Sequence, residues 1–124
     1  MLDDKEPIAT VAVRDLTIAK KFYRDTLGLK LSHETTEVLT FTARAFRLFV
    51  YRSTFAGTNQ ATVVTWAVGT EVASIVAELG KRGVQFEHYE MPGLKLEGDL
   101  HVSEGLKVAW FKDPDGNVLS VNGM

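Results

Sequence analysis

Apolar and polar residues alternate along this chain in short blocks that repeat once. Ile8-Ala-Thr-Val-Ala-Val13 is apolar and rich in β-branched residues, which predicts a strand. Asp15 is placed to cap the exposed amides of a helix. Leu16, Ala19, Tyr23 and Leu27 then follow at helical spacing, with Phe22 widening the stripe, and Gly28 closes the segment. Leu29 to Glu34 predicts a second strand, and Glu37 to Thr42 and Phe46 to Tyr51 predict a hairpin around Ala43-Arg44-Ala45. A polar stretch, Arg52 to Gln60, follows. The pattern then restarts. Thr62 to Val68 predicts a strand, Thr70 a helix cap, and Val72, Val76 and Leu79 a helix face. Gly83 closes that helix, and Val84 to Tyr89 predicts the next strand. Residues 91–106, with Pro92, Gly93, Gly98 and Gly105, predict a long loop. Lys107 to Lys112 and Asn117 to Val121 predict a closing hairpin around Asp113-Pro114-Asp115-Gly116, where Pro sets φ and Gly permits a positive one.

At an offset of 55 residues Thr10 falls on Thr65, Val13 on Val68, Gly28 on Gly83, Leu31 on Phe86 and His33 on His88. Past the long loop the offset grows to about 72, which sets Leu48 opposite Ser120. Two copies are too few for a solenoid or propeller, so a paired module is expected.

Composition narrows the function. The 14 basic and 16 acidic residues leave a formal charge of −2, which gives no electrostatic pull toward nucleic acid or an anionic membrane. There is no cysteine, which excludes disulfides, thiolate nucleophiles and zinc–cysteine clusters. Met1 to Glu6 lacks the apolar core of a signal peptide, and no apolar run reaches the roughly 18–20 residues of a membrane span. A cytoplasmic protein of one domain, residues 1–124, is the expectation.

Two stretches resemble a known family. Val13-Arg14-Asp15-Leu16, followed by Lys21-Phe22-Tyr23-Arg24-Asp25-Thr26-Leu27-Gly28-Leu29, is similar to the opening of vicinal oxygen chelate proteins, the glyoxalase/bleomycin-resistance/dioxygenase superfamily. Trp110-Phe111-Lys112-Asp113-Pro114-Asp115-Gly116-Asn117 resembles that superfamily's turn before its last strand. The resemblance implies an α+β fold of two tandem βαβββ modules, about 7–52 and 61–123, forming a curved mixed sheet around a cavity. It also implies a divalent metal held by His, Gln or Glu on the first and last strands of each module, acting on a substrate with adjacent oxygens. It implies a homodimer as well.

The implied ligand positions here are Ile8, Leu48, Val63 and Ser120. Three lack a lone pair, and neutral Ser120 is a poor ligand beside a carboxylate. No metal and no cofactor are therefore expected. Strand alternation instead gives an apolar pocket with a few hydroxyls, lined by Ile8, Thr10, Leu48, Val50, Val63, Thr65 and Ser120, with Trp110 facing in. His101, in the predicted loop, is expected either as a surface histidine or as a group capping the pocket or acting as a base. His33 and His88 read as exposed strand residues, and Trp66 has the parity of a residue under a helix. The expected function is binding of a small, partly apolar molecule. The alternative is a metal-dependent lyase, isomerase or dioxygenase with a displaced site, and a third possibility is an interaction subunit with a filled core.

Overall fold

The computed structural model describes residues 1–124, which divide into two compact units, Met1–Gly57 and Thr58–Met124. Each unit holds one mixed sheet, and the few helices make the architecture α+β, as expected.

In the first unit, β1 (Ala9–Val13) leads into helix α1 (Leu16–Lys20), followed by β2 (Lys30–Glu34), β3 (Val38–Ala43) and β4 (Phe46–Arg52). The sheet order is β1-β4-β3-β2, with β1 and β4 parallel and the other pairs antiparallel. Asp15 Oδ1 accepts the Thr17 amide at 2.8 Å and the Ile18 amide at 3.2 Å, so the predicted cap forms. The expected single α-helix does not form to its end. Lys21–Thr26 winds as a π-helix, and the Leu27 amide bonds to the Phe22 carbonyl at 2.9 Å. Gly28 then adopts φ 77°, which stops the helix at the predicted residue.

The register of this sheet separates its faces. Ala9 pairs with Leu48, Val11 with Val50, Leu39 with Val50, and Phe41 with Leu48. The Phe41 ring lies 5.8 Å from that of Tyr23, so this is the face the helix covers. Its residues are the core: Val11, Val13, Leu39, Phe41 and Val50 are at most 2% exposed. Thr10 and Thr40, each paired with Phe49 between them, share the opposite face with it.

The second unit begins the same way. It runs β5 (Thr62–Ala67), a 3₁₀ turn (Gly69–Glu71), helix α2 (Val72–Lys81) and β6 (Phe86–Glu87). Thr70 does not cap α2: the helix starts from the 3₁₀ turn with no side-chain hydrogen bond. The predicted long loop is partly strand. β7 (Lys95–Glu97) and β8 (Leu100–Ser103) form a hairpin, and β9 (Leu106–Lys112) and β10 (Val118–Gly123) close the unit. The sheet order is β5-β10-β9-β8-β7, with β6 beside β9 and β5 parallel to β10. The βαβββ plan thus gains a hairpin here, which accounts for the enlarged offset between the halves.

The closing turn is built on Asp113. Its Oδ1 accepts the Asp115 and Asn117 amides, each at 2.9 Å, and its Oδ2 accepts Asn117 Nδ2 at 2.8 Å. Gly116 takes φ 90°, as the turn requires. At the end of β10, Gly123 lies against the backbone of Gly69. A Cβ on Gly123 would sit 1.9 Å from the Gly69 oxygen.

Candidate functional site

One face of the second unit's sheet collects four of the nine expected pocket residues. Ser120 pairs with Thr65 on one side and with Trp110 on the other, and Val108 pairs with His101. Thr65, His101, Trp110 and Ser120 therefore share a face. The Thr65 and Ser120 hydroxyls are hydrogen-bonded at 2.7 Å. Leu119, Val121, Ala109 and Phe111, at most 3% exposed, occupy the other face, and Trp66, paired with Val121, goes with them.

Val63 is the extra residue of a β-bulge. Thr62 pairs with Val118 and Val64 with Leu119, so two steps on β5 match one on β10. The bulge brings Thr62 to the Ser120 face, where its Oγ1 accepts the Trp110 indole N–H at 3.0 Å. Strict alternation counted from Thr65 assigns Thr62 to the far side. Only a bulge signal could have found it, and Val63 is not the glycine that often marks one.

His101 lies in β8 and is 1% exposed, so it is neither a loop nor a surface residue. Its Nε2 accepts the Tyr89 amide N–H at 2.9 Å. Nδ1 therefore carries the proton and donates to the Val108 carbonyl at 3.3 Å. With both nitrogens used, the ring holds the segment after β6 against β8 and has no lone pair left for a base. It packs edge-on to Trp110 at 4.8 Å, and Tyr89 meets Trp110 the same way at 5.4 Å. The polar neighbours are paired: Lys112 Nζ lies 3.5 Å from Glu87, and His88 Nε2 2.8 Å from Asp99.

In the first unit, Ile8 is half-buried just before β1, and Thr10 is exposed on the face away from Tyr23. The register corrects the placement of Leu48 and Val50. Both lie on the helix-covered face, in the core, and not with Thr10. The residue paired with Thr10 is Phe49, so Phe49 is the true counterpart of Ser120. The expected offset was one residue too long, and a slip of one residue moves every side chain to the other face. A hollow of about 380 Å³ in this unit is lined by Arg14, Glu37, Arg52, Ser53 and Thr54, none of them expected pocket residues. Arg52 Nε stands 3.6 Å from Glu37 there. His33 is exposed on β2.

The side chains at the implied ligand positions do not fit a divalent cation. Ile8, Phe49 and Val63 offer no lone pair, and Ser120 is a neutral hydroxyl already bonded to Thr65. Nowhere in the chain do three His, Cys, Asp or Glu side chains converge as a ligand set.

Comparison with known proteins agrees with the topology. The family model described as the Glyoxalase/Bleomycin resistance protein/Dioxygenase superfamily matches residues 7–121. No curated protein matches the chain. The solved structure of a glyoxalase family protein from Enterococcus faecalis is 18% identical with a TM-score of 0.74, covering 98% of this chain and 99% of that one. Lactoylglutathione lyase from Agrobacterium tumefaciens is 17% identical with a TM-score of 0.73, covering 97% of this chain and 93% of its own. The fosfomycin resistance protein FosX from Listeria monocytogenes (hexagonal form) is 11% identical with a TM-score of 0.73, covering 98% and 93%. At these identities the likeness is one of fold.

Proposed function

The chain belongs to the glyoxalase/bleomycin resistance protein/dioxygenase superfamily, and from that premise we propose that it binds a small, partly apolar molecule without a metal. The observation that carries this reading is the pairing of Ser120 with Thr65. A hydroxyl–hydroxyl hydrogen bond stands where the family's metal chemistry uses His, Gln or Glu. Around it the face offers the aromatic surface of Trp110 and few polar groups, the composition that suits a partly apolar ligand. A bleomycin-resistance-like protein that sequesters its ligand fits these residues better than a lyase or dioxygenase.

The experiment joins metal analysis with a thermal-shift screen of small molecules. Protein purified without chelator is expected to hold no stoichiometric divalent ion, and at least one compound is expected to raise its unfolding temperature equally with and without chelator. A stoichiometric ion on which that binding depends would overturn the proposal. No helix of the chain is long and apolar enough to cross a membrane. A cytoplasmic homodimer is part of the same proposal, checked by comparing the solution mass with the 13.7 kDa chain.

A further inference from the structure

We infer that Thr62 and Thr65 form a two-donor site for an uncharged ligand that presents carbonyl-type acceptor oxygens. This rests on the binding reading above and names the ligand class. A hydroxyl has one proton and donates once. Ser120 is 2% exposed, and its side chain has one partner, Thr65 Oγ1 at 2.7 Å. If Thr65 donated to Ser120, the Ser120 proton would be buried without an acceptor, the costly arrangement. Ser120 therefore donates. Thr65, which is exposed, keeps its own proton for an acceptor from outside.

Thr62 reaches the same state by another route. The Trp110 indole nitrogen can only donate, so Thr62 Oγ1 accepts from it at 3.0 Å and keeps its own proton. Thr62 is exposed as well. A hydroxyl that accepts one hydrogen bond becomes a better donor in the next. Residues three apart on a regular strand face opposite ways, and the bulge at Val63 is what puts these two on one face.

Charge selects the ligand further. Glu87 and Lys112, the charged residues in register beside Trp110 and at the end of β9, neutralise each other at 3.5 Å. An ionised ligand would find no unpaired counter-charge on this face. A neutral molecule loses less on leaving water, and the half-buried Trp110 ring gives it apolar contact.

Calorimetric titration with acetophenone, ethylbenzene and benzoate tests this. The three share a ring and differ in carrying a neutral acceptor, none, or a charged one. The wild-type chain is expected to bind acetophenone about tenfold more tightly than ethylbenzene, and benzoate more weakly than acetophenone. Thr65→Val and Thr62→Val should each reduce the preference for acetophenone over ethylbenzene and together abolish it. Thr65→Ser should retain it. Equal, saturable binding of acetophenone and ethylbenzene overturns the inference and leaves the binding reading standing. Tighter binding of benzoate overturns the uncharged class. Saturable binding of none of the three overturns the inference, and the binding reading then stands or falls on the thermal-shift screen. The wild-type comparison decides even if a valine variant does not fold.

Discussion

The two units share a plan and spend their side chains differently. Each runs strand, helix, strand, then a parallel pairing of its last strand with its first. At the equivalent point of that pairing, Thr10 faces Phe49 in the first unit and Thr65 faces Ser120 in the second. The first unit caps its helix with Asp15, and the second opens its helix through a 3₁₀ turn with no side-chain cap. The first has a five-residue α-helix that widens into π winding, whereas the second keeps ten α-helical residues. Repetition of a sequence pattern therefore preserves the sheet ladder better than it preserves caps, helix winding or polar chemistry. The ladder depends on many backbone bonds, and each of the others depends on one or two side chains.

The contrast can be broken at its strongest point first. Phe41, fully buried against Tyr23, anchors the first unit's apolar core. Phe41→Ala should cost about 3–5 kcal/mol in chemical denaturation, and a loss below about 1 kcal/mol would show that the core does not depend on this ring. Next comes the end of the last strand, where the second unit has Gly123 and the first has Arg52. A side chain is tolerated in one copy and blocked by the Gly69 backbone in the other. Gly123→Ala should cost about 1–3 kcal/mol as overpacking. An unchanged denaturation midpoint would mean that the two strand ends are equivalent after all. The smallest effect is at the caps. Asp15→Ala should cost about 1 kcal/mol, while Thr70→Ala should leave stability nearly unchanged, since Thr70 makes no capping bond. Equal losses in the two variants would erase this part of the contrast.

What could be read from residues alone follows from how each feature is encoded. Gly28 and Gly83 end their helices because positive φ is cheap only for glycine, and that is visible in the letters. The Asp113 turn is equally visible, since Pro, Asp and Gly each have one conformational job there. The π winding of Lys21–Thr26 was not legible, because the same apolar stripe is compatible with either carbonyl accepting each amide. β7 and β8 were hidden among glycines and charges, being only three and four residues long. Leu48 and Val50 read as pocket residues only at an offset of about 72, and the register, one residue shorter, turns them to the other face. His101 looked like a loop residue because its partners, the Tyr89 amide and the Val108 carbonyl, are backbone groups that every residue has.

The bulge at Val63 has a genetic consequence. Because Val63 is the residue with no partner on β10, an in-frame loss of its codon would leave Thr62 opposite Val118 and Val64 opposite Leu119. Val63 and Val64 are the same residue type, so loss of either codon gives the same chain, with one valine between the threonines. Such a deletion should thus keep both threonines on one face, now two residues apart on a regular strand and with no bulge needed.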